Sequence, residues 1–393
     1  MLENLKDYKK YTILGIDVYP GRLFKGSMLY FIWMAGLSLI LLMGLASYYT
    51  QLRYGMIITG SRNFVSWSLY IIDFIYFVGL AAGGLIVVSS VELFGVKKLK
   101  PLLRLGVLQA MCCAIVSIIF VTTDIGHPER FYRFFISPNF SSMMFFDFMV
   151  LGGYTTLTIV DLWVMFGSGK RFMYPMAVIS LPAAIGLHTV TGLVFGLAKS
   201  RPSWSSAIMG PLFVSSAITS SLALLILLAL IMPKFTNLKA GPEQVFLMRD
   251  ALTIAIPVDV FFLFSELITV LWPYSQKPEH LVGINFILHG PFAFSLYGEI
   301  LLASLIPFII ILHPKTRQSI PWIVAASVMI VSGVYLKRIF IVMVGMSISP
   351  LGELVRYTPT LPEIMVTAGW FSLAVLLFTV TTRMLDLDPG EKH

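Results

Sequence analysis

The chain has 393 residues, of which 57% are hydrophobic and only 12% charged. A soluble domain carries about 25% charged residues, so this composition excludes a water-soluble globular protein and places the chain in a lipid bilayer. On such a sequence the net charge of +8 is a signal of membrane topology, not the footprint of nucleic-acid binding.

Residues 1–26 are polar and basic, do not read as a signal peptide, and lead at once into the first apolar run. Crossing a ~30 Å hydrocarbon core takes ~20 apolar residues in a helix. Ten runs reach that length: 27–49, 66–92, 104–123, 143–167, 174–199, 210–233, 249–272, 293–313, 320–345 and 364–384. They are continuous rather than alternating, which predicts helices and not the strands of an outer-membrane barrel. The expected fold class is an all-α integral membrane protein of about ten transmembrane helices.

Lys and Arg set the expected orientation. Lys6, Lys9, Lys10, Arg22, Lys25, Lys97, Lys98, Lys100 and Arg104 fall on the side of the N-terminus, as do most basic residues of the later even-numbered connections. The other side holds fewer, among them Arg53, Arg62, Arg130, Arg133 and Arg201. Both termini are therefore expected in the cytoplasm, with the connection 124–147 outside.

The residues offer little to a resident redox centre. Cys112 and Cys113 are adjacent, so in a helix they point ~100° apart, and two thiolates do not make the four ligands of an iron–sulfur cluster. Among six histidines only His188 lies mid-helix, which leaves no matched pair for a b-type haem. No phosphate-binding glycine loop is present. The expectation is a chain with no haem, iron–sulfur cluster or metal of its own.

Ionisable groups inside transmembrane helices cost several kcal/mol unless paired or hydrated, so each is a candidate functional residue. At ~1.5 Å per residue, Asp73 lies about 10 Å from the outer end of the second run, flanked by Tyr70 and Tyr76. Asp147 opens the fourth, and His188 is near mid-membrane in the fifth. Glu266, with Asp259 two turns deeper, belongs to the seventh, Glu299 to the eighth, and Lys337 and Arg338 to the ninth. Two groupings are expected: Asp73, Asp147 and His188 beneath the 124–147 connection, and Glu266, Glu299, Lys337 and Arg338 elsewhere. Asp147, Tyr154 and Asp161 recur every seven residues, one face of a helix. That stripe suits a proton route, while Asp161 alone could instead pair with Lys170 or Arg171.

Pro138 followed by Asp147 resembles Pro291 followed by Glu299, which suggests a parallel repeat. Helices two to five (66–199) and six to nine (200–345) would form two four-helix bundles. The segment 1–26, the first helix with its loop (27–65) and the last loop, helix and tail (346–393) would flank them.

Two stretches carry a family likeness. DIGHPERF (124–131) followed by PNFSSMMFFD (138–147), and HTVTGLVFGLAKSRPSWSSAIMGPLFVSSA (188–217), resemble the signature of the NrfD/polysulfide-reductase membrane-subunit family. With ten spans the likeness is nearest the DsrP and HmeB type of sulfate-reducer membrane redox complexes. The resemblance implies two four-helix bundles and a menaquinone (quinone) pocket in the first. It also implies an outer-face iron–sulfur subunit docked above the pocket and further redox subunits such as cytochromes. On that reading His188, Asp73 and Asp147 handle the quinol protons. Tyr70, Tyr76, Asp124, His127, Tyr154 and Trp204 line or roof the pocket. Asp161, Asp259, Glu266, Glu299, Lys337 and Arg338 form a proton path. The rival readings are an ion or solute transporter using the intramembrane carboxylates, and a purely structural anchor.

Overall fold

The computed structural model describes residues 8–167, 169–201, 203–275, 281–348 and 355–388. A short hairpin, β1 (Tyr11–Ile13) and β2 (Ile16–Val18), precedes the helices α1 (Met28–Tyr54), α2 (Leu69–Leu93), α3 (Leu103–Asp124), α4 (Arg133–Ile136), α5 (Met143–Phe166) and α6 (Met173–Gly196). After these come α7 (Met209–Ile231), α8 (Pro242–Ser275), α9 (Leu281–His289), α10 (Ala293–Glu299), α11 (Ile306–Leu312), α12 (Ile320–Ser347) and α13 (Leu361–Met384). Among the described residues, ten helical segments are long and apolar enough to cross a membrane. They coincide with the ten runs of the sequence, and the protein is a multi-pass integral membrane protein.

Helix ends follow local chemistry. Ser27 caps α1 by accepting from the Tyr30 N–H. Thr360 and Glu363 form a reciprocal capping box at α13, with Pro362 in the first turn, where its missing N–H costs nothing. The eighth span is not uniform: α10 passes into α11 through a π-helical segment, Ile300–Leu305. That wide turn starts directly after Glu299, and π segments often accompany functional residues.

The contacts fall into two rings. α2, α3, α5 and α6 touch one another around the first, and α7, α8, α10–α11 and α12 around the second, with α2 also against α7 and α12. α1 packs on α13, which leans on α3. The most apolar stretch of α2 is 94% buried against 11% for that of α1, so α2 is the central post and α1 the outermost helix. The first and last described segments meet at one face. There Val18 bridges Leu385, the Tyr19 N–H donates to the Met384 carbonyl, and Arg104 donates to the carbonyls of Asp386 and Asp388. We call this the termini face and the other the distal face.

Candidate functional site

An apolar cleft opens near the distal face between α2, α3, α5 and α6, with an empty volume of about 640 Å³ including its open mouth. Trp67, Ile71, Phe74, Val121, Leu151 and Phe195 form its walls, and Phe131 and Phe134 of the 125–142 connection roof it. The roof is held by rings: Phe131, Phe134 and Phe135 pack on Phe148 of α5 at centroid distances of 4.7, 5.1 and 5.7 Å. α4 is thus fastened to the first turns of α5 by aromatic contact.

Within this apolar lining, Asp147 and Thr191 are the only carboxyl and hydroxyl side chains. Asp147 is 6% exposed, and its Oδ1 accepts from the Thr191 hydroxyl at 2.6 Å. Thr191 also reaches the Leu187 carbonyl at 3.0 Å. A hydroxyl has one proton, so the two acceptors compete for it. Ligand pockets typically combine apolar and aromatic walls with a few fixed polar groups, and a cleft with one carboxylate–hydroxyl pair suits an apolar ring that offers a hydroxyl or carbonyl.

Behind the wall, Trp67 stacks on Trp204 at 5.5 Å, and Phe195 meets both indoles edge-on at 5.4 and 5.0 Å. Trp204 donates through Nε1 to the Ile341 carbonyl at 2.6 Å and presses on α12 where a Cβ at Gly345 would lie 1.8 Å from that nitrogen. Trp204 therefore backs the wall instead of lining the cleft. Arg201 fastens the same corner, donating to the Met346 and Ile348 carbonyls at the end of α12 and to the Phe64 carbonyl. Partial burial pulls its guanidinium below the ordinary arginine range.

The remaining candidates are distributed differently from the expected groupings. His188, one turn deeper than Thr191, is fully buried, and its Nε2 lies 3.3 Å from Arg338 Nη2. A guanidinium only donates, so Nε2 is the accepting nitrogen. Position 79 of α2 is glycine, and a Cβ there would sit 3.3 Å from Nε2, so the ring would have to give by a few tenths of an ångström. Arg338 also donates to Ser216 at 2.7 Å and lies over the Phe213 ring at 4.4 Å. Arg338 thus joins His188 rather than Glu266.

Asp73 is not beside His188 or Asp147. It faces α12 and α13, accepting from Tyr335 at 2.7 Å and Thr367 at 2.9 Å. Tyr76 donates to the Val331 carbonyl, Tyr70 to Gln51 at 2.6 Å, and Tyr154 to the Ala81 carbonyl at 2.6 Å; none of the three lines the cleft. Asp124 ends α3 with a buried Oδ1 that has no hydrogen-bond partner among the described residues. His127 pairs with Glu129 at 2.9 Å on the surface. Glu129 titrates below the usual carboxylate range because its own backbone N–H and then His127 hydrogen-bond it.

Lys337 collects the second group. Its Nζ lies 2.9 Å from both oxygens of Asp259 and 2.9 Å from Glu299, and Ser215 adds a bond to Asp259 at 2.8 Å. Glu266 stands apart, accepting from Ser206 at 2.6 Å. Asp161, at the other end of the α5 stripe, accepts from Ser180 at 2.7 Å beside a smaller cavity lined also by Ser89 and Glu92. Between the two cavities Tyr154 is packed at 2% exposure, so the stripe is not an open channel.

Sequence reasoning does not single out Thr191, Trp67 or the Phe131–Phe134–Phe148 roof. Thr191 follows His188 by three residues, the spacing that shares a helix face, and that is the available signal.

These features define a class: a polytopic helical membrane protein with an aromatic, single-carboxylate cleft under a distal loop, and no cluster of three or more metal-ligating residues among the described ones. The chain belongs to the family described as Polysulphide reductase, NrfD, which it matches over residues 57–350. It is 31% identical to a putative membrane subunit of a dimethyl sulfoxide reductase from Halobacterium salinarum, over 91% of each chain. It is 26% identical to an Hdr-like menaquinol oxidoreductase integral membrane subunit of Archaeoglobus fulgidus, over 92% of this chain and 95% of that one. A menaquinone reductase integral membrane subunit of Nitratidesulfovibrio vulgaris shares 21% identity over 92% of this chain and 93% of its own.

Proposed function

We propose that the chain is the quinone-reactive membrane subunit of a multi-subunit oxidoreductase, and that the cleft takes the ring of a menaquinol. The observation that carries this reading is the Asp147–Thr191 pair, isolated in an aromatic slot just beneath a connecting loop. Two of the relatives above have menaquinol or menaquinone in their names, and we take the same substrate here. Oxidation of the quinol releases two electrons and two protons. The two protons pass one after the other from the ring hydroxyls to the Asp147 carboxylate, which Thr191 positions and which gives up the first before it takes the second. Asp124 and the His127–Glu129 pair pass protons on to the distal water.

The electrons leave for an iron–sulfur subunit seated on the distal face, with further redox subunits such as cytochromes beyond it. On this reading the distal face is outside and the termini face is cytoplasmic, as the Lys and Arg bias favours, and the membrane is the cytoplasmic membrane. His188 and Asp73 touch no part of the cleft. They belong instead to a polar interior, in which Asp73 is bonded to Tyr335 and Thr367 and His188 to Arg338, beside the separate Lys337–Asp259–Glu299 group; we take this interior as the candidate for proton conduction.

The test is quinol-dependent reduction of the acceptor by the intact complex. Asp147→Asn keeps shape but removes the proton acceptor, a role worth 10²–10⁴-fold in general-base catalysis; turnover is expected to fall by about that range with assembly unchanged. Thr191→Val should lower turnover less, and Thr191→Ser should restore it. Wild-type turnover in Asp147→Asn would contradict the assignment.

A further inference from the structure

The hairpin on the termini face has a turn that its sequence does not favour. Ile13 pairs with Ile16, leaving Leu14 and Gly15 as a two-residue loop with φ of +50° and +82°. Both angles are positive, the type I′ pattern, which prefers Asn-Gly because a bulky side chain fits poorly there. Leu14 is the only non-glycine with positive φ among the described residues, and it is 83% exposed. The turn therefore presents an exposed leucine at its tip in a backbone conformation that leucine rarely adopts.

The depth of the turn says what surrounds that tip. The Leu14 carbonyl accepts from the Trp163 indole at 2.7 Å, and Trp163 lies three residues inside the end of α5, about 4.5 Å along the helix axis. α5 runs 24 residues, about 36 Å, over a hydrocarbon core of ~30 Å. Trp163 and the turn bonded to it therefore lie at the boundary between acyl chains and headgroups. The hairpin is amphipathic at strand period: Tyr11 and Ile13 alternate with Thr12, whose hydroxyl bonds Asp17 at 3.0 Å on the polar side. Phe24, next to the start of α1, is 81% exposed. Cations sit on the aromatic rings of this segment, Lys9 at 5.2 Å from Tyr11 and Lys25 at 4.9 Å from Tyr8. Apolar tips with lysines alongside are the composition of interfacial segments that bind anionic lipid.

We propose that this hairpin is an interfacial wedge: its Leu14 tip inserts into the leaflet at the termini face, and Lys9 and Lys25 hold anionic phospholipid headgroups around it. The wedge clasps the end of α5 through Trp163, so lipid contact steadies the helix that carries Asp147 at its other end. The proposal is independent of the quinone reading.

Spin labelling of Leu14→Cys and Thr12→Cys in the full-length chain, reconstituted in bilayers containing phosphatidylglycerol, measures the depth. The native thiols are buried, which directs labelling to the new position. Position 14 is expected to collide more with oxygen than with a water-soluble nickel complex, and position 12 the reverse. Equal nickel access at 14 and 12 overturns the insertion. In the unsubstituted protein, amides of residues 11–18 are expected to exchange several-fold more slowly in phosphatidylglycerol-containing than in pure phosphatidylcholine bilayers, with the difference lost in Lys9→Gln/Lys25→Gln. Equal exchange in the two lipids overturns the headgroup contact.

Discussion

At the scale of single residues, Gly345 and Trp204 decide how the cleft wall is built. The indole occupies the volume that any side chain at 345 would need, and its stacking partner Trp67 faces the cleft. Gly345→Ala must push Trp204 away from α12 and strain its bond to Ile341. Overpacking of this kind costs about 1–3 kcal/mol. We expect that loss in thermal or denaturant unfolding of the purified protein, together with weaker quinol binding, because Trp67 moves with its neighbour. An unchanged melting temperature would mean that the wall repacks freely. Asp73 and Asp147 teach a different lesson at this scale. Each lies four residues into its helix from the distal end, so the sequence places them at similar depth. Yet one faces Tyr335 and Thr367 and the other Thr191. Depth follows from position along the chain, whereas rotation about the helix axis is set by packing between helices, and a single sequence does not contain it.

At the scale of elements, α12 couples the two rings. Lys337 and Arg338 are neighbours and so point ~100° apart. One reaches Asp259 and Glu299 in the second ring, and the other reaches His188 and Ser216. Sequence reasoning assigns both cations to one cluster, and this divergence is why that grouping fails. Formally, two cations and two carboxylates balance, which is what a low-dielectric interior requires. Lys337→Met takes the direct partner from Asp259 and Glu299 and leaves two carboxylates to the one remaining cation, Arg338, and breaking a buried pair costs about 3–5 kcal/mol. The expected result is a large drop in unfolding temperature, partly recovered in Lys337→Met/Asp259→Asn because the second change removes one stranded charge. If the double variant were no better than the single one, the cluster would not be held by charge compensation. The π segment after Glu299 and the strained hairpin turn have no readable signal. Both depend on contacts far along the chain, Trp163 with Leu14 for the latter.

At the scale of the whole molecule, what can be read early is what the bilayer itself imposes. The ten apolar runs become ten spans among the described residues, because a segment in hydrocarbon must satisfy its own backbone and a helix of sufficient length does so. From the stretch Asp124 to Asp147 the cleft takes the apolar Phe131 and Phe134 as its roof and Asp147 as its acid, while the polar Asp124 and His127 do not line it. The walls are only partly legible, since Tyr70, Tyr76 and Tyr154 turn their hydroxyls to Gln51, Val331 and Ala81 instead. The quinone assignment stands or falls on where the substrate sits. The most direct measurement is an experimental map of the protein with its native quinone or a quinol-site inhibitor bound. Ring density is expected between α2, α3, α5 and α6, with an oxygen within hydrogen-bonding distance of Asp147. Ring density lodged elsewhere, such as against the Asp73–Tyr335 pair or between α7 and α12, would contradict the assignment.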